Sequence, residues 1–114
     1  MTNLIQINKI KKVVTFSVAE KVTMEEAKLF VSEYNAKMKT INAAEYTLEV
    51  DCTSMNVLDQ NMAANLTDVM KMYNETGFIK VIFKINTSPV LKMQLARVAR
   101  NAGLSEKASI VEAS

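Results

Sequence analysis

The sequence predicts an α/β domain in which helices cover a mixed, mostly parallel sheet. Three amphipathic helical patterns alternate with apolar strand patterns, in the order strand, strand, helix, strand, helix, strand, helix, strand. A length of 114 residues suits one domain, so residues 1–114 form a single predicted unit. Glycine and proline number only two and one, so we expect long elements with short connections. Strand–helix–strand crossovers are right-handed and join parallel strands, which makes the later strands parallel.

Two short strand patterns precede the first helix. They lie at residues 4–7 and 13–16, close enough in sequence to pair as an antiparallel hairpin. Thr23 and Glu26 have the spacing of a capping box that begins the helix. The spacings of three and four residues that follow define its buried stripe. That stripe consists of Ala27, Val31, Tyr34, Met38 and Ile41.

A strand and a second helix come next. Residues 46–50 alternate between polar and apolar side chains, as a strand does. Asp59 is a good N-cap for the helix, and Gly77 suits the left-handed position after its end. The predicted buried stripe of this helix consists of Met62, Leu66, Val69, Met70 and Tyr73.

The strongest strand pattern covers residues 78–85. It is nearly continuous in apolar side chains, as expected of a central buried strand. Ser88 and Pro89 begin the third helix, Gly103 ends it, and residues 109–111 form a short last strand. The third buried stripe consists of Leu91, Leu95, Val98, Ala99 and Ala102.

Composition argues against several classes of protein. The formal net charge is only +2, which gives no electrostatic argument for binding a nucleic acid or a membrane. Cys52 is the single cysteine, so a disulfide framework within the chain is excluded. The chain shows neither a signal-peptide core nor an apolar run of about 18 residues, and we predict a cytoplasmic protein. There is no histidine, the commonest general base and metal ligand.

Two carboxylates flank the loop that follows residues 46–50. Asp51 and Asp59 would lie at the strand-end edge where open α/β sheets usually bind ligands. They could form an acid/base or Mg²⁺ pair, or they could be a strand-end polar residue and a helix cap. Glycine-rich phosphate loops and Cys/His metal spacings are absent from the sequence, so we favour the second interpretation and predict no catalytic residue, metal or cofactor. For Cys52 we expect a buried, inert thiol.

A polar group in the same loop favours binding over catalysis. None of its members is a titrating base, so the group can present hydrogen bonds but cannot easily move protons. The predicted partner-binding residues are Asn56, Asp59, Gln60 and Asn61. Met72 and Met93 fall off the buried stripes, and exposed methionines would suit a contact surface.

The order of these motifs resembles the STAS domain of anti-sigma-factor antagonists. The resemblance is based on three segments: YTLEVD at 46–51, VLD at 57–59 before an amphipathic helix, and the strand at 78–85. The helix that starts at Ser88-Pro89 and ends at Gly103-Leu104 is also similar to the family's. The resemblance implies a regulatory module that docks a protein through the Asp59 loop and the first turn of the second helix.

The sequence departs from the family at the switch position. Regulatory members carry Ser or Thr directly after that aspartate, and a partner kinase phosphorylates it. Here Gln60 occupies the position, while Asn61 and Met62 replace the family's small residues. The resemblance therefore implies a non-phosphorylatable, constitutive or structural module. The family's terminal helix also has no counterpart after Val111, which we expect to leave a surface for an oligomer partner.

We therefore predict a non-catalytic protein–protein interaction module. Its partner would be a regulatory kinase-like protein, another STAS protein or a second copy of the chain, with neither nucleic acid nor membrane as a partner. The alternative is a module that binds a small ligand, a nucleotide or a lipid, at the same strand-end edge. An enzyme that uses Asp51 and Asp59 is the least favoured interpretation.

Overall fold

A computed structural model describes residues 5–17, 24–55 and 57–112. In these residues five strands form one sheet, and three helices connect the last four strands. The strands are β1 (Gln6–Asn8), β2 (Val13–Ser17), β3 (Thr47–Asp51), β4 (Lys80–Ile85) and β5 (Ala108–Glu112). The helices are α1 (Met24–Met38), α2 (Gln60–Thr76) and α3 (Pro89–Asn101), and a 3₁₀ turn at Ala43–Glu45 precedes β3. The α/β class and the element order are as predicted.

The strands lie in the sheet in their sequence order, β1-β2-β3-β4-β5. β1 pairs with β2 antiparallel, and every later pair is parallel, so the predicted mixed, mostly parallel sheet is confirmed. β4 has a neighbour on each side and is an interior strand, as predicted, although β3 is the middle one. Right-handed crossovers that all step in one direction place α1, α2 and α3 on the same face. The helices therefore cover one face of the sheet and leave the other open.

Burial along the strands alternates as this arrangement requires. Leu48 and Val50 of β3 are fully buried under the helices, whereas Glu49 between them is only half-buried on the open face. β4 repeats the pattern, with Val81 0% and Phe83 2% exposed. The predicted burial is therefore confirmed for Val81 and Phe83. The strand is buried on one face only, however, since Lys80 and Lys84 are exposed and Ile82 is half-buried.

Four aromatic rings join α1 and α2 to the sheet. They are Phe16, Phe30, Tyr34 and Tyr73, with neighbouring ring centroids 4.9 to 6.0 Å apart. The Tyr34 hydroxyl and Thr76 Oγ1 share a hydrogen bond of 2.6 Å, which ties the middle of α1 to the end of α2. Burial raises the pKa of Tyr34 to about 12, so the phenol stays neutral and can donate in this bond.

Side chains of α1 also hold the chain that enters β1. The Ile5 amide donates to Glu33 Oε2 at 3.0 Å, and Lys37 Nζ donates to the Ile5 carbonyl. Glu33 and Lys37 lie 3.8 Å apart as an i,i+4 ion pair. Ile5 itself is 1% exposed, so both of its backbone polar groups are satisfied where water is excluded.

The predicted stripe of α1 is wrong in part. Val31 was expected to be buried, but it is exposed, and Ile41 lies beyond the end of the helix at Met38. Tyr34 is buried as predicted, at 1% exposed. Phe30, which was outside the predicted stripe, packs its ring against Phe16 and takes the inward position expected for Val31. The predicted capping box begins at Thr23, which lies outside the described residues, as do Leu4 and the side chain of Ala27.

The predicted helix ends at α2 and α3 are confirmed. Asp59 Oδ1 accepts from the Met62 amide at 2.7 Å, and Ser88 Oγ accepts from the Leu91 amide at 3.2 Å with Pro89 in the first turn. Gly77 follows α2 with φ +87°, a left-handed conformation that glycine adopts without strain.

The predicted strand boundaries are displaced by one or two residues. β3 is Thr47–Asp51 rather than 46–50, and β5 extends one residue beyond 109–111 at each end. β4 starts at Lys80 rather than 78, because the chain is still turning after Gly77. Phe78 is buried before the strand starts, while Ile79 is exposed.

We predict that Tyr34→Phe lowers the free energy of unfolding by about 1 kcal/mol, because it removes the hydrogen bond to Thr76 and keeps the ring. Urea unfolding followed by far-UV circular dichroism measures the change. Ser32→Ala, at an exposed position of the same helix, is the control and should stay within about 0.5 kcal/mol of the native chain. Equal stability of Tyr34→Phe and the native chain would show that the bond adds nothing.

Candidate functional site

The candidate site is the connection from β3 to α2. It begins where parallel strands end side by side, since Ser17, Asp51 and Lys84 are aligned in one row across β2, β3 and β4. The Cys52 amide donates to the Lys84 carbonyl at 2.7 Å and so continues the pairing one residue past β3. The loop therefore leaves the sheet from a fixed point.

The first half of the loop is fixed by hydrogen bonds to Thr53. Asp51 Oδ1 accepts from the Thr53 hydroxyl at 2.7 Å and from the Thr53 amide at 3.0 Å. Asn86, which follows β4, donates from Nδ2 to the Thr53 carbonyl at 2.7 Å. The Thr53 hydroxyl, the Thr53 amide and the charge of Lys84 lower the pKa of Asp51, outweighing a small opposing effect of burial. Asp51 is thus an ionised acceptor that shapes the loop.

The second half is fixed by a side chain from α3. The Leu58 amide donates to Gln94 Oε1 at 2.8 Å, and Gln94 Nε2 donates to the Leu58 carbonyl at 2.9 Å. One primary amide thus satisfies both backbone groups of a residue that is only 7% exposed. Sequence reasoning missed Gln94. Nothing local marks a glutamine on α3 as the partner of a loop 36 residues earlier.

Apolar side chains fill the space under the loop. Cys52, Met55 and Leu58 are 2%, 5% and 7% exposed, and the Met55 amide donates to the Cys52 carbonyl in a turn. Burial, and secondarily the charge of Asp51, raises the pKa of the Cys52 thiol to about 12. The thiol therefore stays neutral at physiological pH, as expected of a buried, inert cysteine.

The outward side of the loop exposes both polar and apolar side chains. Asp59, Gln60 and Asn61 are exposed in the first turn of α2, and Val57 just before them is 59% exposed. The fourth predicted contact residue, Asn56, lies outside the described residues. Val57, Asp59, Gln60 and Asn61 are called the loop surface below.

α3 extends the loop surface with apolar side chains. Val90, 53% exposed, lies one helical turn before Gln94 and hence on the same side of α3 as the loop. Met93 is 72% exposed on the adjoining side of the helix, as predicted. Met72 does not follow the prediction. It is partly buried and packs against the core, because α2 faces both the sheet and its neighbouring helices.

The two carboxylates of the loop each serve a structural hydrogen bond. Asp51 binds Thr53 and Asp59 caps the Met62 amide, which matches the interpretation that we favoured over an acid/base pair. Among the described residues, no group of three or more His, Cys, Asp or Glu side chains is placed to hold a metal ion. A broad, open concavity of about 760 Å³ lies elsewhere, beside the β1–β2 hairpin.

Comparison with known proteins neither supports nor contradicts the resemblance to STAS domains, which rests on the sequence motifs alone. No protein-family model matches the sequence, and no curated protein is significantly similar to it. In the described part of the chain, none of the helices is long and apolar enough to cross a membrane.

We predict that Gln94→Ala lowers the free energy of unfolding by about 1–3 kcal/mol, because it leaves the buried amide and carbonyl of Leu58 without partners. Chemical denaturation measures the loss. Lys92→Ala, on the exposed side of α3, is the matched control and should change stability by less than about 0.5 kcal/mol. A loss no greater than that of the control would show that the two bonds do not hold the loop.

Proposed function

We propose that the chain is a non-catalytic protein-interaction module that docks its partner through the loop surface. A STAS-like role is supported by the motif resemblance and by the α/β fold with this element order. The partner would be a regulatory kinase-like protein, another STAS protein or a second copy of the chain. The loop surface extended by Val90 and Met93 is the site of contact.

One observation carries this proposal: hydrogen bonds from other elements hold Thr53 and Leu58 in place, while the side chains of the loop surface face solvent. Gln94 fixes Leu58 through two hydrogen bonds, and the neighbouring Val57 remains 59% exposed. Burial of this apolar side chain against a partner would remove its surface from water and favour association. Because the loop is ordered before the partner arrives, binding has little loop entropy to overcome.

The first turn of α2 supplies the polar part of the contact. Backbone amides at a helix N-terminus carry partial positive charge. The Met62 amide already donates to the Asp59 carboxylate. The exposed side chains of Gln60 and Asn61 add donors and acceptors on the same turn. A partner carboxylate or carbonyl can bind there while an apolar partner residue covers Val57 and Val90. Such a combination of an apolar centre and polar surroundings is typical of protein interfaces.

We infer that binding is constitutive because neither hydroxyl of the loop, on Thr53 or Ser54, is well placed for phosphorylation. Gln60 has no hydroxyl at the position that the family phosphorylates. The Thr53 hydroxyl already donates to Asp51 at 2.7 Å, so a phosphate there would lie against a carboxylate. Ser54 is exposed, but in sequence it precedes the Asp59 cap of α2 and lies outside the first turn of the helix, where backbone amides would stabilise a phosphate.

The small-ligand alternative at this edge has less support. Among the described residues of the loop, Cys52, Met55 and Leu58 are buried beneath it, and the outer side chains form an exposed surface. Small-molecule sites are usually concave and enclose most of the ligand. A protein partner fits such a surface better.

We predict that Val57→Ser and Gln60→Ala each weaken partner capture and change stability by less than about 0.5 kcal/mol, since both side chains are exposed. Asp59→Ala should lower stability by about 1 kcal/mol through the lost cap. Pull-down from the source cells followed by mass spectrometry measures capture, and calorimetry measures stability.

The control for capture is Lys71→Ala, an exposed change on α2 away from the loop surface. If Val57→Ser, Gln60→Ala and Asn61→Ala all bind the partner as the native chain does, the loop is only a helix start and the proposed docking site is wrong.

We also predict that a kinase of the anti-sigma-factor type leaves the loop unmodified, because Gln60 replaces the acceptor hydroxyl. Intact mass after incubation with the kinase and ATP should equal that of the untreated chain. Gln60→Ser restores the hydroxyl and tests whether the kinase still recognises the loop. Stoichiometric phosphate on Thr53 or Ser54 of the native chain would contradict the constitutive role.

A further inference from the structure

The edge of the sheet opposite the loop surface collects four connections. With the ends of the elements that adjoin them, they are residues 9–12, 39–46, 74–80 and 100–107, called the basal edge below. These ranges include the last residues of α2 and α3 and the first residue of β4. Three backbone hydrogen bonds of 3.0 Å join them in a row, from the Thr47 amide to Lys12, from the Ile79 amide to Tyr46 and from the Val81 amide to Lys107. The basal edge is therefore one continuous surface.

Positive charge is concentrated on this edge. Seven cationic side chains and three glutamates give it a formal charge of 7 − 3 = +4, so the rest of the chain carries −2 of the total of +2. The cations are Lys9, Lys11, Lys12, Lys39, Lys80, Arg100 and Lys107, and the acids are Glu45, Glu75 and Glu106. We expected no membrane partner because the net charge of the whole chain is small. That small total is the sum of a positive basal edge and a negative remainder.

An apolar side chain projects from the middle of the most basic connection. Ile10 is 95% exposed at the tip of the β1–β2 hairpin, between the exposed Lys9 and Lys11. Asn8 Oδ1 accepts from the Ile10 amide at 3.1 Å and from the Lys11 amide at 3.0 Å, so the tip has a defined shape. Ile79, 57% exposed, lies on the same edge.

Lys12 ties this tip to the domain. Its backbone is left-handed at φ +57°, its Nζ lies 3.3 Å from Glu45 Oε2, and the same Nζ is 5.8 Å from the centre of the Tyr46 ring. The hairpin is therefore held against the 39–46 connection, and it projects Ile10 and its flanking lysines in a fixed direction. Such a tip can enter a flat surface without first being ordered.

We propose that the basal edge docks the protein peripherally on an anionic lipid surface. Ile10 enters the boundary between headgroups and acyl chains, and Lys9 and Lys11 contact the lipid phosphates. Exposed aliphatic side chains among lysines favour a bilayer over a nucleic acid. A nucleic acid would use the charge but would leave Ile10 and Ile79 without a contact. The loop surface lies at the opposite edge and stays open to a protein partner.

Sedimentation with vesicles tests the proposal on the full chain. Vesicles of phosphatidylcholine with about 30% phosphatidylserine should bind it, pure phosphatidylcholine vesicles should not, and binding should weaken as salt rises above about 0.1 M. Lys9→Gln/Lys11→Gln should reduce partitioning about 20-fold, and Ile10→Ser about tenfold.

Matched variants elsewhere keep the test specific. Lys71→Gln/Lys92→Gln makes the same change in net charge on the outer sides of α2 and α3, and Leu29→Ser removes an exposed leucine from α1, so both variants should partition within twofold of the native chain. The proposal is overturned by a lack of binding to the anionic vesicles, or by an equal loss in the control lysine pair. It is also overturned if Lys9→Gln/Lys11→Gln weakens binding while Ile10→Ser does not, or if duplex DNA at equal phosphate concentration binds equally well. Those last two results would indicate a soluble polyanion as the ligand.

Discussion

The order of the strands is the constraint on which the rest of this structure depends. β1 to β5 lie side by side in sequence order, and every helical crossover from β2 onward steps in the same direction. Because such crossovers share one hand, all three helices fall on one face and bury one core there. The same order assigns each connection to one of two opposite edges. The loops that follow β3 and β4 lie at one edge, and the segments that precede β2, β3, β4 and β5 lie at the other.

The two edges differ in how their exposed side chains are held. At the strand-end edge, long-range polar contacts from Asn86 and Gln94 fix the loop between β3 and α2, and Val57 is exposed beside polar groups. At the basal edge, local hydrogen bonds of Asn8 and the long-range ion pair between Lys12 and Glu45 fix a lysine-rich hairpin with Ile10 at its tip. One surface suits a protein partner and the other an anionic plane, so the fold can present both at once.

The sequence predicted those features that depend on neighbouring residues. Asp59, Gly77 and Ser88 mark helix ends through contacts within four residues, and the alternation of β3 and β4 follows from period alone. Features set by tertiary contacts could not be predicted. Helical spacing alone does not show whether Val31 or Phe30 faces inward from α1. Phe30 does so because its ring packs against Phe16 of β2. Gln94 binds Leu58, which lies 36 residues earlier in the chain. The positively charged segments of the basal edge are distant in sequence and come together only through the order of the strands in the sheet. Of the candidate site, composition indicated its polar residues, but its apolar members Val57 and Val90 emerged only from the fold.

Docking through the loop surface depends on Thr53, Val57 and Leu58 being held in the free protein by contacts with α3 and the end of β4. Backbone ¹⁵N relaxation measures this directly at Thr53, Val57 and Leu58, with β3 as the internal reference. The account predicts order parameters near those of rigid backbone, about 0.85, at all three positions. Values below about 0.6 at Val57 and Leu58, with β3 still rigid, would contradict it. The Gln94 hydrogen bonds would then not hold the loop, and its surface would have to be formed by the partner.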